Sequence, residues 1–275
     1  MAPCFASPAV DAQGCGRYEP PMDDAFLLSL AAGLAQRAAA TIMAVRARGF
    51  DVLRKHDRTP VTEADHAAEA LIVEGLRRDT PAIPVIAEEE MAAGRVVDCG
   101  GEFWLVDPLD GTREFAQLRD EFTVNVGLVR DGRAVLGAVA LPATGELFTG
   151  IVGSGAWKRT VDGEHPVHVR APPAEGLHVM ASRHHATDAE LAEFLQNFRV
   201  ATLTNIGSAV KFCRLAEGAA DLYPRLGRTM EWDTAAPQAV LEAAGGTVQR
   251  MDGGPLTYGK PGWANPPFLC SGGQA

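Results

Sequence analysis

Between positions 103 and 112 the chain reads Phe-Trp-Leu-Val-Asp-Pro-Leu-Asp-Gly-Thr. Asp107 and Asp110 stand on either side of the peptide carbonyl of Leu109. Two carboxylates and a carbonyl are hard oxygen donors, the set that Mg²⁺ prefers. Gly111 and Thr112 follow with backbone N–H groups at a helix start, where unpaired donors can hold a phosphate. The same letters also suit two consecutive turns, one capped by Asp107 and one made by Asp110-Gly111. Further acids share the context of a strand end or helix start. Glu88-Glu89-Glu90 follows the apolar run Pro84-Val85-Ile86-Ala87, and Asp233 precedes the run Thr234-Ala235-Ala236. Asp233 alone would suit a plain helix N-cap. Glu88, Asp107, Asp110 and Asp233 together make the kind of cluster that two-ion phosphoryl chemistry needs, because crowded carboxylates repel unless cations sit among them.

The extended form, Phe103 to Phe115 followed by Glu121-Phe122-Thr123-Val124-Asn125, resembles the signature of the Mg²⁺-dependent, lithium-sensitive phosphatase superfamily. That superfamily holds inositol monophosphatases, fructose-1,6-bisphosphatases and 3'(2'),5'-bisphosphate nucleotidases, and the likeness is to the nucleotidase branch. It spans residues 24 to 272. The resemblance implies an α/β (α+β layered) fold, the sugar-phosphatase αβαβα sandwich, with two or three Mg²⁺ ions. It implies Glu88, Asp107, Asp110, Asp233 and the carbonyl of Leu109 as metal ligands, Asp107 bridging two ions. Thr112 and Asp65 match a hydrogen-bonded dyad that orients and deprotonates the attacking water. Glu88 or Glu89 is the competing base. Without the resemblance Asp65 reads as a first-turn helix acid favoured by the helix dipole.

Substrate contacts are implied for Gly111, Thr112 and Asp233, and for three segments of the second half. Ser182-Arg183-His184-His185 matches the nucleotidase Ser-x-x-His segment, which brings in Ser182 and His185. Gly207-Ser208-Ala209-Val210-Lys211-Phe212-Cys213 brings in Gly207, Ser208 and Lys211, and Tyr223-Pro224-Arg225 brings in Arg225 as a clamp for a second phosphate. Inositol monophosphatases carry a substrate-binding glutamate seven residues before the aspartate that matches Asp233. Leu226 stands there in this chain, beside Arg225. A lost carboxylate and an added cation suit a bisphosphate better than a neutral polyol. The activity implied is Mg²⁺-dependent hydrolysis of 3'(2')-phosphoadenosine 5'-phosphate to AMP and phosphate. An inositol-1-phosphate or histidinol-phosphate phosphatase on the same scaffold is the alternative, and a non-catalytic nucleotide- or metal-binding regulator the distant one.

The elements that must position these residues read as follows. Asp23 or Asp24 caps a helix to Arg48, with Phe26, Leu27, Leu30, Leu34, Ala38, Ile42 and Val45 on its inner face. Thr62 caps a second helix in a capping-box variant, Thr62-Glu63-Ala64-Asp65, with Ala67, Ala68, Leu71, Ile72 and Leu76 inward. Phe103–Val106 reads as a buried strand that Pro108 ends at Asp107. A meander follows, its first hairpin turning at Asp131-Gly132. The second half alternates strand and helix, as in α/β layering. Asp188 is expected to cap a helix there, and a further helix to start after Asp233. A boundary near residue 160 would separate a metal-binding lobe (22–160) from a substrate lobe (161–275). Residues 1–21, rich in Pro, Ala and Gly, read as a disordered tail, with Met22 an alternative start.

At 275 residues, 47% hydrophobic and 22% charged, the chain can bury a substantial core. Its formal net charge of -10 argues against nonspecific nucleic-acid binding, which needs a basic face. Five scattered cysteines with no Cys-x-x-Cys pair indicate neither a disulfide framework nor a zinc site. No transmembrane segment and no secretory signal are expected. The expected setting is cytoplasmic or peripheral at the inner membrane. The expected partner is a phosphorylated nucleotide as small-molecule substrate, with a homodimer as the possible assembly.

Overall fold

The computed structural model describes residues 22–54, 60–183 and 187–273. The expected tail and His185 lie outside them. Helix α1 (Asp24–Arg48) starts where Asp23 accepts the N–H of Ala25. By length and apolar content it could cross a membrane. In this chain its Leu27, Leu34, Ala38 and Ile42 stripe is packed inside the core, while Phe26, expected inward, is half exposed. The short hairpin of β1 (Val52–Arg54) and β2 (Pro60–Thr62) leads into α2 (Glu63–Asp79). Along α2, Ala64, Ala68, Ile72 and Leu76 face inward and Ala67 faces outward.

Strand β3 (Val85–Ala87) passes directly into α3 (Glu88–Ala92), and β4 (Glu102–Asp110) into α4 (Thr112–Ala116). A meander of β5 (Thr123–Arg130), β6 (Arg133–Leu141), β7 (Glu146–Ile151), β8 (Gly155–Thr160) and β9 (Gly163–Val167) completes a seven-stranded sheet in sequential order from β3 to β9. Its first hairpin turns where expected. Asp131 and Gly132 have φ of 50° and 73°, the left-handed pair that a type I′ turn requires.

The second half supplies β10 (Leu177–Ser182), α5 (Asp188–Leu195), β11 (Val200–Ile206), α6 (Val210–Ala216), β12 (Leu222–Arg225), β13 (Thr229–Met230), α7 (Ala235–Ala243), β14 (Thr247–Arg250), β15 (Ala264–Asn265) and β16 (Phe268–Ser271). Thr187, one residue before Asp188, caps α5 and shares a capping box with Glu190. Five of these strands form a mixed sheet ordered β11-β10-β12-β16-β14. Helices α1 and α2 cover one face of the large sheet. Helices α6 and α7 fill the space between the two sheets, where Phe148, Phe212, Val240 and Phe268 share one core cluster. The layered α/β order expected from the sequence is present.

Two local features place the site. Pro108 does not end β4 at Asp107 as expected. The strand runs on to Asp110, because Asp107 pairs with Asn125 and Asp110 with Thr123, which leaves one extra residue on β4. A bulge of this kind tolerates a residue without an N–H. The second feature is a row of three glycines. Gly127, Gly137 and Gly150 are direct cross-strand neighbours on β5, β6 and β7. They open a trough in which α7 lies against the sheet backbone. A Cβ on Gly127 would stand 2.5 Å from the N of Ala236, and one on Gly150 2.9 Å from the Cα of Val240.

Candidate active site

Strands β3 and β4 run parallel, Ala87 beside Val106, so the residues that follow emerge together at their carboxyl ends. Glu88 and Asp107 are therefore neighbours by topology. The bulge then turns β4 so that Asp110 also faces the site, and the Leu109 N–H donates to Asp107 Oδ1 at 3.0 Å. Gly111 has φ 98°, and a Cβ there would lie 2.9 Å from the Glu121 carbonyl oxygen. Only glycine lets the chain swing at that point and start α4 at Thr112.

The Thr112 hydroxyl has two acceptors in reach, Asp65 Oδ1 at 3.0 Å and the Leu109 carbonyl at 3.1 Å. The second carboxylate oxygen of Asp65 accepts the N–H and hydroxyl of Thr62, each at 2.8 Å. Asp65 is thus both the helix-capping acid and the partner of Thr112, one oxygen for each. Burial raises its pKa against the hydrogen bonds of Thr62 and Thr112.

Asp233 arrives from the other side of the sheet. The trough holds α7 so that the turn before it faces the Asp110 bulge, and Asp233 Oδ2 accepts the Met230 N–H at 2.9 Å. Burial, then the Asp110 and Glu88 carboxylates, push its pKa up to about 8. Burial likewise pushes Asp110 up to about 6, against the attraction of Lys211 and Arg225.

Glu88, Asp107, Asp110 and Asp233 line one pocket of about 720 Å³ together with Leu109, Gly111 and Thr112. Ser182, Gly207, Ser208, Lys211 and Arg225 line the same pocket. Lys211 is buried and spends two of its three donors on the carbonyls of Ile206 at 3.0 Å and Ser208 at 2.6 Å. Burial, then the neighbouring Arg225, depress its pKa to about 7. Arg225 is also buried, with its guanidinium plane fixed by Gly227 O, Ser182 Oγ and Arg228 O. Asp65 stands behind Thr112 and not on the pocket wall. Glu89, one of the base candidates, is buried and does not line the pocket.

Two acids escaped the reading of the sequence. Glu114 lines the pocket and fills the space a Cβ on Gly207 would need, 2.7 Å from its Cγ. Glu69, buried on α2, accepts the N–H groups of Glu89 at 2.7 Å and Glu90 at 2.9 Å. Its signal was available: Asp65 and Glu69 are four residues apart on the apolar side of one helix.

The donor set suits Mg²⁺, which keeps several waters and takes only a few carboxylates. Among the described residues no three His, Cys, Asp or Glu side chains close into a ready-made cage, so water and phosphate oxygens must complete any coordination shell. Thr123 and Asn125 lie behind the pocket wall and do not line the pocket. They face Asp110 and Asp107 across the strand pair, and their buried polar side-chain atoms have no hydrogen-bond partner among the described residues.

The pKa shifts predict a pH dependence. Asp110, Asp233 and Glu69 sit at about 6, 8 and 7 in the folded chain, against ordinary values of 3.8 and 4.5. Between about pH 5 and 7 the folded chain therefore holds protons that the unfolded chain has released, and stability falls as pH rises. The urea midpoint of metal-free protein is expected to drop across that window and Mg²⁺ to flatten the drop. A midpoint that rises with pH would refute the crowding of these acids.

A model of the inositol monophosphatase family matches residues 23–268. The chain is 44% identical over 243 residues to the 3'(2'),5'-bisphosphate nucleotidase CysQ of Escherichia coli K12, covering 86% of this chain and 96% of that protein. It is 39% identical over 209 residues to CysQ of Buchnera aphidicola, covering 76% and 78%. Among solved structures, CysQ from Bacteroides thetaiotaomicron superposes with a TM-score of 0.74 at 30% identity, over 91% of this chain and 98% of that one. Inositol monophosphatase from Anabaena superposes with a TM-score of 0.71 at 27% identity, over 90% and 91%.

Proposed function

The chain belongs to the inositol monophosphatase family, and from that premise we propose that it is a Mg²⁺-dependent 3'(2'),5'-bisphosphate nucleotidase. It hydrolyses 3'-phosphoadenosine 5'-phosphate to AMP and phosphate. The observation that carries this reading is the chemistry of the pocket at the strand ends, where Glu88, Asp107, Asp110 and Asp233 share the lining with two buried cations, Lys211 and Arg225. Buried cations are costly unless an anion meets them. Asp110 attracts both from the pocket wall, and a second phosphate adds an anion beside them that a neutral polyol lacks.

In this reading Glu88, Asp107, Asp110, Asp233 and the Leu109 carbonyl hold two or three Mg²⁺ ions. Bound there, the ions supply Lewis-acid charge to the phosphate oxygens and the attacking water. The Thr112 hydroxyl accepts a proton from that water as its own proton passes to Asp65 Oδ1, the oxygen 3.0 Å away. A carboxylate whose pKa is raised by burial is suited to take it. Water adds to phosphorus, the ester P–O bond breaks, and the departing 3'-oxygen takes a proton from solvent. The N–H groups of Gly111 and Thr112 face the phosphate. Ser182, Gly207 and Ser208 flank the nucleotide, and Lys211 and Arg225 meet its second phosphate.

The test is phosphate release with Mg²⁺ from 3'-phosphoadenosine 5'-phosphate, inositol 1-phosphate and histidinol phosphate, side by side. The bisphosphate is expected to show a kcat/KM at least about a hundredfold higher than the others, since unpaired buried groups penalise a substrate that lacks their partner. Equal turnover of inositol 1-phosphate would overturn the roles of Lys211 and Arg225. Thermal stabilisation by Mg²⁺ and nucleotide without any phosphate release would overturn the enzyme reading altogether.

A further inference from the structure

Helix α3 begins without a local cap. Ala87, at the N-cap position, offers no side-chain acceptor, although the first N–H groups of any helix need one. The acceptors come from α2 instead. Glu69 Oε2 takes the N–H of Glu89 at 2.7 Å and Oε1 takes that of Glu90 at 2.9 Å. Both carboxylate oxygens are thereby committed to consecutive amides of the turn that starts at Glu88. A second tie runs from the same helix, where Arg77 grips the Glu90 carboxylate with two donors at 2.8 and 2.6 Å.

Such an arrangement is expensive. Glu69 is buried among other acids, and a Ser, Thr or Asp at position 87 would cap α3 more cheaply. What the longer route adds is a fixed distance. Asp65, which holds Thr112, and Glu69, which holds the Glu88 turn, are one helical turn apart on α2 and both are buried. Any movement of α2 relative to the sheet carries both attachments with it.

We propose that Glu69 is a positioning residue: it sets the Glu88 turn at a fixed place relative to the Thr112–Asp65 pair, and so orients the Glu88 carboxylate for the cation. This rests on the reading of Glu88 as a metal ligand. Glu69 itself touches neither the pocket nor the substrate.

The experiment uses the full chain and compares wild type with Glu69→Gln, Glu69→Ala and Arg77→Met. Mg²⁺ binding is followed calorimetrically without substrate, the fold by circular dichroism and urea midpoint, and Mg²⁺ activation by phosphate release. Glu69→Gln keeps the size but turns an NH₂ toward one of the two amides. It is expected to weaken Mg²⁺ binding about tenfold to a hundredfold, the usual cost of losing a residue that orients a ligand. Excess Mg²⁺ should restore most of kcat, with nucleotide KM at saturating Mg²⁺ unchanged. Glu69→Ala should weaken binding at least as much. Arg77→Met, which loosens α3 without touching its amides, should lower the urea midpoint with a smaller effect on Mg²⁺. Unchanged Mg²⁺ affinity in both Glu69 variants overturns the inference alone, as does a loss that follows the urea midpoint equally in all three variants. A wild-type chain that binds no Mg²⁺ overturns the metal reading, and the inference with it.

Discussion

Replacing Asp110 by asparagine is expected to lower Mg²⁺-dependent phosphate release about a thousandfold or more while leaving the folded protein at least as stable as wild type. The two halves of that outcome share one cause. Asp110 lies where burial already disfavours its charge and where it repels Asp233. Asparagine keeps the shape of the bulge and gives up both the repulsion and the attraction of Lys211 and Arg225, and because burial outweighs that attraction the metal-free fold loses nothing. What disappears is an anionic oxygen at the place where cations are to be held. Metal-assisted stabilisation of a phosphoryl transition state is worth several kcal/mol, and each 1.36 kcal/mol is a factor of ten in rate. The measurement pairs initial rates at saturating Mg²⁺ with a urea melt under chelation. Activity within tenfold of wild type would remove Asp110 from the site. A large fall in stability would mean that its charge supports the fold.

The second large effect is structural. Gly137→Ala is expected to destabilise the protein by about 3 kcal/mol or more, at the upper end for overpacking. The added Cβ would stand 2.6 Å from the Cα of Ala236. That obstacle is backbone and cannot rotate away, so relief requires α7 to lift out of its trough. Lifting α7 moves Asp233, and Mg²⁺ affinity should weaken along with the urea midpoint. Gly33→Ala is the matched comparison. Its Cβ meets nothing within 4 Å on α1, and the exchange should stabilise by about 0.5–1 kcal/mol through helix propensity. If the two substitutions gave equal effects, the close approach of α7 to the sheet would be wrong.

Much of the site could be read from the sequence because its chemistry is local. Asp107, Leu109, Asp110, Gly111 and Thr112 are contiguous, and a run so short keeps its members together whatever the rest of the fold does. Thr62 and Asp65 were legible for the same reason, as a capping box within one helical turn. The unread parts depend on pairing across the molecule. Pro108 forbids a ladder hydrogen bond but not a strand, and only the register against Asn125 and Thr123 reveals the bulge that absorbs it. Strand β9 contains Pro166, which hides it until β8 is seen to hold it at the sheet edge. Glu69 meets its partners twenty residues away. Phe26 belongs to the apolar stripe of α1 by letter, but its position at the first turn leaves it over the edge of the core.

The glycine row also fixes the order in which this molecule can assemble. A trough made from one residue on each of β5, β6 and β7 exists only after all three strands are paired in register. Before that, α7 has no seat, and the turn that carries Asp233 has no reason to approach the β4 bulge. Pairing of β5, β6 and β7 must precede the seating of α7. The repulsion of Asp233 by Asp110 and Glu88 therefore arises only once α7 is seated. Chelation should leave the early stages of folding untouched and speed the departure of α7 from an otherwise intact sheet.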